Sequence, residues 1–283
     1  MNLAVHPPTS CPHAALQRAT GVGRLRVGAH AGGARLKTLF QQGSAKIRFC
    51  ARSGEAVLIN TAGGLAEGDR LSWGATLDDG ARQTITTQAC EKVYRGARRE
   101  RDGVEPGAPS RVDSRLEVGA GARLDWLPQE TILFDHARLE RQLEADLAED
   151  GQLLAVEAVV LGRRAMGEVA ARARLHDRWR VRRAGRTIFA DDTRLYGTVA
   201  PTLEPALLDG AGAYASILLA APGAEAWLDP VRALLPARAG ASAWDGKLFC
   251  RILAQDGRAL RRALVPVLTT LRDGAPLPRL WSI

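Results

Sequence analysis

The stretch DRLSWGATLDDGARQTITTQA, residues 69–89, decides how this chain is read. Leu71, Trp73, Ala75 and Leu77 fall on alternate positions, which places them on one face of an extended strand. Asp79-Gly80 is a turn dipeptide, and ARQTITTQA then resumes the extended pattern around Ile85. The spacing predicts a hairpin.

Working outward, the same alternation recurs. SRVDSRLEV (110–118) puts Val112, Leu116 and Val118 on one face, and RARLHDRWRV (172–181) does so with Leu175, Trp179 and Val181. Ala184-Gly185 then turns the chain into RTIFA. Glycine-rich joints such as VGAGAR (118–123) and Gly151 punctuate the strands about every ten residues. ARLERQLEADLAED (137–150) carries Leu139, Leu143 and Leu147 at a spacing that suits a helix or a strand; we read a strand. The last third changes character. AEAWLDPVRALL (224–235) and DGRALRRALVPVLTTLRDG (256–274) read as helices, the second with a Leu260, Leu264, Leu268, Leu271 stripe that Pro266 should kink or split. KLFCRILA (247–254) between them is a short strand. The fold class is therefore mainly β: a β-rich, solenoid- or sandwich-like body with a few helices, two of them in the C-terminal third. Residues 1–19 read as a flexible arm and 20–283 as a single domain.

Composition narrows the function. At 283 residues, 46% hydrophobic and 25% charged, the chain is long enough for a full core. No run reaches the ~20 apolar residues of a membrane span, and MNLAVHPPTSCPHAALQ has no secretory h-region, so a cytoplasmic location and no membrane partner are expected. The net charge is 39 − 31 = +8, and only Lys37, Lys46, Lys92 and Lys247 are not arginine on the basic side. The arginines are scattered through strands without interleaved aromatics, which argues for docking to an acidic protein and against nucleic acid. Cys11, Cys50, Cys90 and Cys250 stand apart, with no CxxC, and are expected as reduced thiols.

TAGGLAEGDRLSW (61–73) resembles a phosphate loop only superficially. A Walker loop needs Lys and Ser or Thr after its last glycine, and here Asp69 and Arg70 follow Gly68. The loop is expected to be a tight turn in which Gly63 and Gly64 take positive φ and Asp69 binds nearby amides. No GxSxG elbow and no HExxH occur among the five histidines. What remains is a set of acids in apolar or glycine-rich settings: Asp69, Glu91, Glu130, Asp135, Glu157 and Glu168. Each is either paired with an arginine or part of a polar track of oxygen ligands, which hold a first-row divalent ion weakly.

TAGGLAEGDRLSW, TTQACEKVYRG, LDWLPQETILFDHARLERQLEADL, LGRRAMGE and the terminal PRLWSI occur in that order, and together they resemble the UreD (UreH) family of urease accessory proteins. The resemblance runs from about residue 20 to the C-terminus. It implies a protein that is not an enzyme, but a scaffold for nickel insertion that binds apo-urease on one side and UreF on another. UreF in turn recruits the GTPase UreG, in an assembled complex that can be a homodimer. It also implies a β-rich solenoid-like fold with an internal passage for nickel(II) in transit, and no permanently bound metal or cofactor. Carried over by position, Asp69, Glu130, Asp135 and Glu168 are the passage-lining candidates. Thr87, Glu91, Lys92, Tyr94 and Arg95 are their supports, and Glu67 stands where many relatives have a third glycine. A metal-dependent hydrolase using the same acids and an RNA-binding β protein are the alternatives.

Overall fold

Residues 70–77 are extended, and Leu71, Trp73, Ala75 and Leu77 are buried together as their alternation requires. The computed structural model describes residues 17–30, 33–50, 53–96, 107–163, 166–168, 170–196 and 208–282; the expected arm lies outside the described residues except for 17–19. The strands in chain order begin with β1 (Thr20–His30), β2 (Gly33–Gly43), β3 (Ala45–Cys50), β4 (Glu55–Asn60), β5 (Arg70–Leu77) and β6 (Arg82–Thr87). They continue with β7 (Glu91–Val93), β8 (Ser110–Val118), β9 (Arg123–Leu127), β10 (Thr131–Leu133), β11 (Arg138–Leu147) and β12 (Gln152–Leu161). The last are β13 (Arg174–Arg183), β14 (Arg186–Tyr196), β15 (Ala213–Ala220), β16 (Ala239–Trp244) and β17 (Lys247–Ala254). ARLERQLEADL is thus a strand, as read.

The predicted hairpin at Asp79-Gly80 does not form. β5 pairs in parallel with β1 and β8, whereas β6 pairs in parallel with β4 and β9 in a second sheet. From β4 to β13 the chain shuttles between the two sheets, and each return lays a strand parallel to the one before it. The first sheet runs β14-β13-β11-β8-β5-β1-β2; the second runs β16-β17-β15-β12-β9-β6-β4-β3. The body is a flattened coil with antiparallel hairpins at both ends, and neither sheet closes into a barrel.

The glycine-rich joints are the corners of this coil, and they stack. Gly119, Ala148 and Ala184 donate backbone bonds to the carbonyls of Leu77, Val118 and Leu147 in turn. Asp79 Oδ1 accepts the Ala120 amide at 2.8 Å, and Asp150 Oδ1 accepts the Gly121 amide at 2.9 Å. A Cβ on Gly119 would lie 2.5 Å from Asp79 Oδ1 and 2.9 Å from the Leu77 carbonyl. At Gly119 only glycine lets the corner approach this closely.

Between the sheets lies the main core. Leu25, Ala75, Leu116, Ala145, Val181 and Phe189 form one row across the first sheet, facing rows such as Ile85, Trp126, Ala155 and Leu218 across the second. A second core covers the outer side of β12 and β15, which explains why both strands are buried on both faces. It is sealed by a short helix α1 (Leu228–Arg232) and by α2 (Gly257–Leu271), whose Leu260, Leu264, Val267, Leu268 and Leu271 face inward. Asp256 caps α2 by accepting the Ala259 amide at 2.8 Å. The helix runs unbroken through Pro266, which sits off the buried stripe. AEAWLDPVRALL yields less helix than predicted, a 3₁₀ turn at Ala224–Trp227 followed by α1. No described helix is long and apolar enough to cross a membrane.

Candidate functional site

The 61–69 segment is the expected turn. Gly63 and Gly64 have φ of 76° and 147°. A Cβ on Gly64 would meet the Tyr94 ring and lie 2.8 Å from the Lys92 carbonyl; the second glycine is there to admit Tyr94. That tyrosine's hydroxyl donates to the Gly63 carbonyl at 3.0 Å. Asp69 is buried and accepts two backbone amides, Ala19 on Oδ1 and Ala66 on Oδ2, each at 2.8 Å. Asn60 braces the same turn, donating from Nδ2 to the Gly64 carbonyl and to Glu91 Oε1, both at 3.1 Å.

A third, short side of the coil gathers the remaining segments. Leu65, Val93, Leu133 and Leu161, all buried, are parallel register partners in sequence, so the 61–69 turn, β7, β10 and the end of β12 lie side by side. Beyond this ladder, Tyr94 packs edge-on against Phe134 (5.2 Å between centroids), and the Arg163 guanidinium lies over the Phe134 ring at 4.3 Å. Arg163 Nε also donates to Glu168 Oε2 at 2.5 Å, and Glu168 Oε1 accepts the Asp135 amide at 3.2 Å. Asp135 takes the Arg172 side chain at 2.6 Å and its amide at 2.9 Å. Burial works to raise the Asp135 carboxyl, but the bonds from Arg172 hold it below the usual range. Lys92 and Arg95 are exposed. Thr87 Oγ1 accepts the Gln129 amide at 2.9 Å and steadies the approach to Glu130.

Glu130 has a different neighbourhood. Arg261 of α2 grips it with Nε at 2.9 Å and Nη2 at 2.5 Å, and the Cys90 thiol donates to Oε2 at 3.4 Å. Burial pushes its carboxyl up, but the Arg261 bonds outweigh this and hold it low. Cys90 is pushed up to about 11 by burial and then by the Glu130 charge, so it stays a thiol. These residues border a cleft of about 480 Å³ between β10 and α2. Among the carried-over acids, then, Asp135 and Glu168 meet each other, whereas Asp69 and Glu130 each have separate partners.

Of the six acids singled out in the sequence, two have no arginine partner among the described residues. Asp69 is bound only through amides, and Glu91, held by Asn60 and the Lys92 amide, has no ion-pair partner among the described residues. Burial, with a smaller push from the Asp69 charge, raises Glu91 to about 7.

Glu91 also opens a polar level inside the coil. Its register partner on β10 is Thr131, whose hydroxyl accepts from Arg141 Nη1 at 3.1 Å. Arg141, Asp177 and Thr193 are successive members of one inward row of the first sheet; Glu157, Ser216 and Arg251 form the facing row of the second. Arg141 joins the rows, donating to Glu157 Oε2 at 2.5 Å and to Asp177 at 3.1 and 2.6 Å. Trp126 Nε1 adds a bond to Glu157 Oε1 at 3.2 Å. Arg141, Glu157 and Asp177 are 5%, 5% and 4% exposed, so the cluster is fully interior. Burial pushes the Glu157 carboxyl up against the opposing pull of Arg141. Of this cluster only Glu157 stood out in the sequence. Arg141 and Asp177 share the parity of Leu139 and Leu143, and of Leu175 and Trp179; a charge at an inward position was the available signal.

Among the described residues no three His, Cys, Asp or Glu side chains are grouped to hold a metal ion, and Cys90 and Cys250 are free thiols. The UreD urease accessory protein family matches residues 19–282 of this chain. A urease accessory protein UreD of Rhizobium rhizogenes is 50% identical over 272 residues, spanning 94% of this chain and 96% of its own length. One from Agrobacterium fabrum is 46% identical over 271 residues, 94% and 92% of the two chains. Urease accessory protein UreD 1 of Brucella abortus is 46% identical over 276 residues, 95% of each. A match over the whole described body, with the motif segments aligned on one ladder, leaves one conclusion: the chain belongs to the UreD family of urease accessory proteins.

Proposed function

We propose that this protein is a non-catalytic, cytoplasmic urease maturation factor that passes nickel(II) toward the apo-urease active site, in a complex with UreF and, through UreF, the GTPase UreG. The observation that carries this reading is the polar level that starts at Glu91, which feels the nearby Asp69 charge, and continues through Thr131 to Arg141, Glu157 and Asp177. Nickel(II) is the cargo. Carboxylate and hydroxyl oxygens hold it more weakly than imidazole or thiolate, which suits transfer more than storage. With Glu157 ionised, two carboxylates face one guanidinium, leaving a negative charge for an incoming cation. Glu130, Asp135 and Glu168 each have an arginine of their own, so no uncompensated negative charge is left there for a passing ion. We therefore assign them to holding the framework and assign the first oxygen contact to Asp69 and Glu91.

The test is co-expression of Glu91→Gln and Glu157→Gln variants with urease and its other accessory proteins. The expected outcome is urease with several-fold less nickel by elemental analysis, while the variant still co-purifies with its partners. Full nickel content in both variants would remove the passage and leave the scaffold role.

A further inference from the structure

At the last turn of the coil the sheets part around a cavity of about 650 Å³, bordered by Thr193 and Leu195 of β14, Tyr214 of β15, Arg251 and Leu253 of β17, and Leu208. Two buried donors there have no acceptor among the described residues. Tyr214 is 3% exposed and its hydroxyl makes no hydrogen bond, and Arg251 Nε is likewise buried and unpartnered. Arg251 Nη2 is engaged, with Asp191 at 2.8 Å, Ser216 at 3.2 Å and Thr193 at 3.3 Å as its acceptors. Native interiors seldom leave such groups unmet, because each forfeits its bonds to water. Burial, and then the Asp177 charge, raise the Tyr214 phenol, so it stays protonated and can donate.

The surrounding charges define what is missing. Asp191 is taken by Arg251 and Thr193, and Asp192 by His176 and Arg194. Neither acid supplies the absent acceptor, and the near balance of charge favours a single negative group over a phosphate dianion. Leu195, Leu208 and Leu253 supply the aliphatic part of the wall, and the ion-paired Asp192 and Arg194 border it as well.

We propose that this cavity binds a small organic monocarboxylate with an aliphatic body, its two oxygens accepting from the Tyr214 hydroxyl and Arg251 Nε. Such a ligand ties β14 of the first sheet to β15 and β17 of the second and clamps the end of the coil. It requires no metal and stands or falls apart from the nickel reading.

The experiment titrates the full chain with isovalerate, and with isovaleramide as the uncharged isostere, by calorimetry without added metal. The expected result is saturable binding of one isovalerate per chain, no saturable binding of the amide, and affinity at least about tenfold weaker in Tyr214→Phe. Because the Tyr214 hydroxyl has no partner among the described residues, the variant should unfold at the same or a higher temperature. Absent isovalerate binding, equal binding of the amide, or unchanged affinity in a folded Tyr214→Phe would each overturn the site.

Discussion

Glu91 is a carboxylic acid in a half-buried place without a counter-cation among the described residues, and its pH behaviour follows. Its folded pKa is raised to about 7 from an ordinary 4.5. The stability it contributes is therefore fully present below about pH 4.5 and is lost as pH rises through about 7. Relative to the wild type, Glu91→Gln should gain on the order of 2 kcal/mol at pH 8 and almost nothing at pH 4.5. Urea unfolding at the two pH values checks this, and parallel pH profiles for the two proteins would contradict it. At this scale the sequence was partly readable. The glycine pair, the amide-binding Asp69 and the arginine pairing of most acids followed from turn chemistry and charge balance. That Glu91 stands apart was not visible, because it depends on which segment the coil brings beside it, and Asn60 lies 31 residues away.

Among the elements, α2 is tied to the body by two arginines. Arg261 holds Glu130 and also lies over the Trp281 ring at 5.5 Å; Arg272 holds Asp125 at 2.5 Å and Thr84 at 3.2 Å. Glu130→Ala leaves Arg261 without its carboxylate and should cost about 2–4 kcal/mol. Hydrogen exchange should quicken in residues 257–271 and stay slow in β5, β8 and β11; unchanged exchange in α2 would contradict the tie. The helix and its leucine stripe were legible because a 3.6-residue period is local. The unbroken passage through Pro266 was not, since a proline's cost depends on which side of the helix meets water. The Asp79-Gly80 corner misled for a related reason. Its local chemistry is that of a tight turn, and nothing within twenty residues says whether the chain returns beside itself or crosses to a facing sheet.

Across the whole molecule, the solvent face of the first sheet is zipped by rows of opposite charge. Arg111 pairs with Glu140 at 2.5 Å, Arg115 with Glu144 at 3.1 Å, and Arg182 with Asp146 at 3.6 Å. Cross-strand pairs of this kind contribute little individually but discourage mismatched register, and they occupy arginines that would otherwise offer a basic face to nucleic acid. The second half of the terminal strand β2 lacks such protection. Its residues 38–43 carry no charge, all are exposed, and Phe40 is 51% exposed on an edge with no neighbour beyond β1 among the described residues of its sheet. Phe40→Ser should change unfolding free energy by no more than about 0.5 kcal/mol while reducing light scattering by the concentrated chain. Equal scattering would show that association arises elsewhere.

The parallel arrangement has one more implication, for how the chain is made. Neighbours across the first sheet are far apart in sequence: Thr76 meets Glu117 from 41 residues away, and Arg111 meets Glu140 from 29. A nascent chain leaving the ribosome can complete no winding until the following one has emerged. For that interval it presents a raw apolar strip, and local propensity supplies little to hold it. Synthesis, more than the finished architecture, is then where this protein is most vulnerable, and slow maturation with a need for early company is built into its topology.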